Sequence, residues 1–529
     1  MNPMPQIRTP WWIASMLVAL ATATVQAAPP AQYDPRDFGA KADGKTVDTK
    51  AIQAAIDACA AAGGGRVCLA GGTFLSGTIV LKTNVTLEVA AGATLLGSLN
   101  IEDYPSITPE IVYLYRARFT KALIYAERVE NITLCGRGVI DGQGQHYPYV
   151  RGEGGDGLRP YLIRFAECKN ISVRDLLLKD SARWLSHYLA CENVTIDGVT
   201  IHSRIRENRD GMDIDSCNRV RIANCDVYSG DDAIVLKATA MQPCRHVTVT
   251  NCTLSSMASA LKLGTESNGG FEDINFNNCT VYDTSGGIAV EMVDGGLCDR
   301  VNVSNITMRD VRVPIFVRLG NRARPIPDLP EPGMGQMRQV IIANVQATGA
   351  TDLGCSITGI PDHYVENVTV QNVRIRFAGG GTAKNVQRTI PEKEAGYPSG
   401  SMFGKLSAYG FFCRHVKGLR LENIDVGCEA DDARPAFVLD DVADARLIAC
   451  RGQTGPETSW LVWLKNVDRA VLSGWYPAPP CKVFLRADGP DTRRISLLGN
   501  DLTDVAGAME LGGDVPAGAV QLFNNLGKQ

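Results

Sequence analysis

The chain has 529 residues, 45% hydrophobic and 21% charged, which supplies a large apolar core and excludes a disordered protein. Its 53 basic residues stand against 57 acidic ones without any lysine–arginine block, so charge excludes a nucleic-acid partner. Beyond the first residues no run of 18 uninterrupted apolar residues occurs, so no membrane span is expected in the mature chain.

In chain order, residues 1–27 read as a secretory signal. Arg8 gives a positive start, Trp11 to Thr24 is a short apolar stretch, and Val25-Gln26-Ala27 is a small-residue cleavage site. A secreted or periplasmic protein is expected, with residues 28–529 forming one domain. The run from Thr49 to Ala62 predicts an amphipathic helix with Ile52, Ile56 and Cys59 on one stripe. Asp48 is its expected N-cap and Gly63 its C-terminal stop. That helix is expected to cover the end of the molecule, within an N-terminal cap over about 34–80.

Short strand openings then recur. They read Asn-Val-Thr-Leu at 84–87, Asn-Ile-Thr-Leu at 131–134, Asn-Ile-Ser-Val at 170–173 and Asn-Val-Thr-Ile at 193–196. They continue at 219–222, 246–249, 273–276 and 300–303, with steps near 27 residues. Such a period with two or three short strands per unit predicts a solenoid in which each coil buries its apolar face on the next. Asn224, Asn251, Asn278 and Asn305 repeat at the same step, and Asn344, Asn372 and Asn423 continue the series. Asn tolerates left-handed backbone, and stacked amides can hydrogen-bond along a column. The fold class expected is therefore all-β, a right-handed parallel β-helix with an N-terminal capping helix.

The sixteen cysteines fall into similar columns. Cys168, Cys191, Cys217, Cys244 and Cys298 each stand three residues before an Ile or Val that opens a strand, and Cys225, Cys252 and Cys279 step by 27. Buried thiols packing as small apolar groups explain this. Cys59 with Cys68 is the one pairing expected. The repeats fade after about residue 490, with Leu497 to Leu522 read as closing strands. Insertions mark loops that leave the barrel. One contains Tyr147, Tyr149, Arg151 and Arg159, the next Arg322 and Arg324 in a run to Gly335, and the longest, 378–410, Tyr397, Phe403 and Tyr409. Loops on a rigid scaffold commonly carry binding residues.

The stretch Asn208 to Lys237 concentrates carboxylates at Asp210, Asp213, Asp215, Asp231 and Asp232. One coil between the groups puts Asp210 beside Asp231 and Asp232. Such crowding is expensive unless the carboxylates are used or paired; a calcium site or a solvated acidic turn is the bland reading.

The Asp37-Phe-Gly-Ala-Lys-Ala-Asp-Gly44 opening, Asn208-Arg-Asp210-Gly-Met-Asp213 and Gly230-Asp231-Asp232 together resemble glycoside hydrolase family 28, the polygalacturonases and rhamnogalacturonan hydrolases. The resemblance runs to about Val442. It implies that Asp231 is the general acid and that Asp210 and Asp232 share the base role, with inversion at the anomeric carbon and neither cofactor nor metal. Inverting chemistry sets an expected carboxyl separation of about 6.5–9.5 Å. Two family motifs are replaced. Where a Gly-His-Gly is expected the chain reads Ala258-Ser-Ala260, and where Arg-Ile-Lys is expected it reads Ala289-Val-Glu291. Asn208, Asp213, His187, Lys237, Lys262, Glu291 and Arg318 are the remaining candidates for substrate contact.

The expected partner is a polysaccharide or oligosaccharide of pectin type. The lost Arg-x-Lys predicts poor activity on unbranched polygalacturonate, and the long insertions predict release of single units from a chain end. A β-helix lyase using Lys237 or Lys262 near the aspartates, and a non-catalytic glycan-binding β-helix, are the alternatives.

Overall fold

The computed structural model describes residues 31–116, 118–147, 158–205 and 208–527; the expected signal at 1–27, and Tyr149 and Arg151 of the first insertion, lie outside the described residues. Apolar alternation in short runs dictates strands that bury every second side chain. One coil shows the pattern, with strands Glu192–Asp197, Thr200–Ser203 and Met212–Asp215. Each pairs in parallel with its counterpart one coil later, through Val194↔Val220, Ile201↔Val227 and Ile214↔Leu236. The inward column continues as Val220, Val247, Ile274, Val301, Val340 and Val368, all buried. The protein is a right-handed parallel β-helix whose core is the inside of the stack.

The turns explain the repeat spelling. Asn224, Asn251, Asn278, Asn305, Asn344, Asn372 and Asn423 all have φ between 51° and 58°. Left-handed backbone is costly for most L residues and less so for Asn. Their side chains also form a ladder, with Asn344 donating to Asn305 at 2.9 Å and accepting from Asn372 at 3.0 Å. A second left-handed column runs through Asn84, Asn131, Asn170 and Asn193 and then passes to Arg219, His246, Asp273 and Arg300. Asn344→Ala is expected to lower stability by about 2 kcal/mol, combining backbone strain with two lost hydrogen bonds. Asn344→Gly, which keeps the backbone free, should lose less. Equal unfolding midpoints for wild type and both variants would show that the ladder contributes nothing.

The helix α1, Thr49–Ala61, lays Ile52, Ile56 and Cys59 onto the first coil, and the chain turns at Gly63 with φ 93°. Asp48 does not cap it with its side chain. Its carboxylate instead accepts from the Lys41 and Ala42 amides at 2.7 and 2.9 Å, pinning the preceding loop. The expected Cys59–Cys68 disulfide is absent, since all sixteen cysteines are free thiols. Cys59 faces the core, whereas Cys68 alternates outward between buried Val67 and Leu69 and registers with Glu88, so the two point to opposite sides of the wall. The columns of Cys168, Cys191, Cys217, Cys244 and Cys298 are buried as the spacing predicts.

Coils do not fade after residue 490. Ala470↔Ile495↔Val520 remain in parallel register, with a shortened step of 25 residues that hides them from a search at 27. No helix among the described residues is long and apolar enough to cross a membrane.

Candidate active site

Two tight turns on neighbouring coils build the acid cluster. Asp210 precedes the strand Met212–Asp215, and Asp231 and Asp232 precede Ile234–Ala238. Met212↔Ile234 pairing stacks the turns, and the Gly211 amide donates to the Asp232 carbonyl at 2.8 Å. The glycines permit this approach: a Cβ on Gly211 would meet the Ala233 carbonyl at 2.5 Å, and one on Gly230 the Ile205 carbonyl at 1.6 Å. Oxygens of Asp210, Asp231 and Asp232 consequently lie within 4.8 Å of one another. This is closer than the separation expected from the sequence, because adjacent coils are only one strand spacing apart. Two carboxylate oxygens at that distance can both accept from one water held between them.

The donors around the three groups differ. Asp231 accepts from the Asn208 and Asp232 amides at 2.9 and 3.0 Å. Asp232 accepts from the Ser259 amide at 3.0 Å and from the Lys262 ammonium at 2.9 Å. Asp210 has an oxygen without a hydrogen bond and the Lys237 ammonium at 3.6 Å. Burial, reinforced by neighbouring carboxylates, raises the pKa of both Asp231 and Asp210. Such a cluster holds a proton at pH values where a free aspartate has lost it.

Lys237 lies beneath the cluster, 3.6 Å from Asp213, 3.3 Å from Glu266 and 4.5 Å from the centre of the Trp184 ring. Burial alone favours the neutral amine, but Glu266, Asp210, Asp213 and Asp232 together hold its pKa well above the usual lysine value. Lys262 is likewise held protonated against the effect of burial, by Asp232 and Glu291.

The cluster forms the floor of a cavity of about 400 Å³ whose rim carries Arg118, Arg183, Arg324 and Tyr397. The segment 98–121 supplies Tyr115, Arg118 and Phe119 and crosses several coils, its Leu114 amide donating to the Thr239 carbonyl at 3.0 Å. Tyr115 donates to Glu266 at 2.7 Å and accepts from Arg324 at 3.1 Å, which ties this segment to the insertion after Arg318. The sequence reading missed the segment, although the step from 84 to 131 is 20 residues longer than the repeat. A smaller cavity of about 120 Å³ lies beside the first, sharing Asp231, Asp232, Lys262 and Tyr397 with it.

Of the candidates for substrate contact, Asn208, Lys237 and Lys262 line the larger cavity and Glu291 the smaller. Three do not reach either. His187 is fully buried, stacked on Tyr161, edged by Trp184 and bonded to Asp215 at 3.1 Å, and burial lowers its pKa. It is a neutral packing and hydrogen-bonding group. Asp213 is fully buried under Lys237, and burial pushes its carboxyl up to about 8. Arg318 registers with Glu291 but turns away from it. Its guanidinium donates to the carbonyls of Gly359 and Glu392, both at 2.7 Å, and so anchors the 378–410 insertion.

The family model described as "Glycosyl hydrolases family 28" matches residues 66–395. A protein described as a probable polygalacturonase from Vitis vinifera is 34% identical over 214 residues, covering 38% of this chain and 43% of its own length. An exo-poly-alpha-D-galacturonosidase from Dickeya chrysanthemi is 28% identical over 258 residues, 40% of this chain and 42% of its own. The chain thus spans about two fifths of the length of these relatives. Among solved structures, a hyperthermoactive exopolygalacturonase from Thermotoga maritima aligns with a TM-score of 0.61 at 21% identity, over 75% of this chain and 93% of that one. A family 28 exopolygalacturonase from Yersinia enterocolitica aligns at 0.64 and 23%, over 79% of each chain. These structures share the fold.

Proposed function

We propose that this chain, which belongs to glycosyl hydrolases family 28, hydrolyses glycosidic bonds of a uronate-containing, pectin-type glycan from a chain end. The observation that carries this reading is the group of three carboxylates within 4.8 Å at the floor of a cavity rimmed by cations. Asp231 gives the proton to the bridging oxygen as the carbon–oxygen bond breaks. A water between Asp210 and Asp232 attacks the anomeric carbon and yields a proton to that pair. The names of the relatives support a galacturonate-type substrate. Arg118, Arg183 and Arg324 offer the positive charge that the absent Arg-x-Lys does not, so a uronate carboxylate has a place in the larger cavity. The tie between Tyr115 and Arg324 walls one side of that cavity, which supports action at chain ends over action within chains.

A lyase reading needs a neutral amine as the proton abstractor. Lys237 and Lys262 are both held protonated by carboxylates, which argues against it.

The test is a time course on short galacturonate oligosaccharides and on polygalacturonate, with proton NMR of the first product. Monosaccharide released first, with inverted anomeric configuration, is the expected result. Early mixed-length oligomers would exclude chain-end action, retained configuration would exclude direct attack by water, and an unsaturated product would identify a lyase.

A further inference from the structure

A further cavity, of about 320 Å³, lies away from the cleft on the C-terminal coils. It sits on the column of strands that, in earlier coils, runs into the acid turns. Register carried coil by coil from Val227 reaches Gly452 in seven steps. At one strand spacing per coil, the two sites stand roughly 34 Å apart along the barrel. The hollow exists because a side chain is missing. On the outward face Arg376 registers with Gly427, and a Cβ on Gly427 would stand 3.1 Å from Gln453 Oε1 and 3.5 Å from Arg376 Cδ. Ala478 and Pro479 supply an apolar part of the wall.

Charge in this hollow does not balance. Its one carboxylate, Asp425, accepts from Arg376 at 2.9 Å. Arg451 registers with Asp425 one coil later, yet among the described residues it takes part in no ion pair. Its guanidinium lies instead 5.6 Å from the centre of the Tyr476 ring, a side chain that is 60% exposed. Two guanidiniums against one carboxylate favour an anion. A guanidinium without an ion pair offers a planar set of N–H donors that matches a carboxylate. Proline and tyrosine beside it give the apolar surface on which a ring can lie, in a cavity large enough for a small ligand.

We propose that this hollow is a second, non-catalytic binding site for an acidic glycan, with Arg451 gripping a uronate carboxylate and the sugar ring lying against Pro479. A polymer that reaches both sites is held by each at once, which raises the effective concentration of its ends at the cleft. An oligosaccharide too short to span them gains nothing. Binding at the hollow is independent of the chemistry at the aspartates; only its effect on turnover rests on the hydrolase reading above.

The experiment has a binding arm and a kinetic arm. Calorimetry with tetragalacturonate is run on Asp231→Asn, which spares the ligand, and on the same protein carrying Arg451→Gln or Gly427→Met. Arg451 has no ion pair to lose, and Gly427 is outside the left-handed region, so methionine fills the hollow there without backbone strain. Two sites are expected in the first protein and one in each of the others. A neutral oligosaccharide of equal length should leave the distal site empty. In the catalytically intact chain, Arg451→Gln is expected to raise KM on polygalacturonate at least threefold and to leave kcat/KM on tetragalacturonate unchanged. Unchanged stoichiometry with unchanged KM overturns the inference, and so does equal distal binding of the neutral oligosaccharide. If Asp231→Asn does not fold, the kinetic arm decides alone. Cleavage of neither substrate by the folded wild type overturns the hydrolase reading, and calorimetry on the wild type and Arg451→Gln then decides the distal site by itself.

Discussion

Asp231→Asn is expected to lower kcat by roughly 10²–10⁴-fold, the contribution general acid catalysis typically makes. The substitution removes the transferable proton while keeping the size of the side chain. Both Asp231 oxygens accept backbone amides, from Asn208 and Asp232, so an asparagine turns one acceptor into a donor that faces an N–H group. A stability loss of about 1–2 kcal/mol accompanies the kinetic effect, and a fold that survives it is the control. Asp210→Asn and Asp232→Asn should also be severe, and a double variant less than additive, because the three groups act as a unit. Turnover above half the wild-type value in Asp231→Asn would sink the assignment.

The second large effect lies beneath the cleft. Lys237→Met is expected to destabilise the protein by about 3–5 kcal/mol, since it leaves partners of a buried charge uncompensated. Glu266 keeps Arg324 at 2.8 Å, so the loss falls on Asp210, which has no other cation within ion-pair distance among the described residues. Removing a positive neighbour raises a carboxylate pKa. Asp210 must be ionised to draw a proton from water, so the acid limb of the kcat profile should move to higher pH. Denaturant unfolding and a pH–rate profile check the two parts. A variant as stable as wild type with an unmoved acid limb would mean that Lys237 neither holds nor tunes the cluster.

The architecture was written openly in the sequence, because stacking forces the same residue type to recur wherever a turn needs the same backbone. The asparagine column is legible for that reason. The second left-handed column becomes unreadable once Arg219, His246, Asp273 and Arg300 take over, as none of those residues declares a turn. The three aspartates of the cleft were legible through their spacing of about one coil. Their partners were less so. Arg318 sits one coil from Glu291 in register and was a candidate for substrate contact, but register does not say which way a long side chain turns. His187 sits in the strand alongside the cleft, yet Trp184 and Tyr161 cover it. Tyr115, Arg118 and Phe119 carry no motif, and only the overlong step between two early repeats pointed to them.

The clasp of Tyr115 on Glu266 and Arg324 also bears on the order in which the chain matures. These hydrogen bonds close loops of 151 and 209 residues, whereas the ladders between coils join residues about 27 apart. Near contacts form before distant ones, because closing a longer loop removes more chain entropy. The barrel can therefore wind coil upon coil from its capped end before Tyr115 meets Arg324. The pocket is sealed only when residue 324 arrives, so a nascent chain that stops short of that point has its aspartates stacked and its cationic rim incomplete. Completion of the cavity wall is in this sense a late event in folding, set by one tyrosine waiting for an arginine two hundred residues downstream.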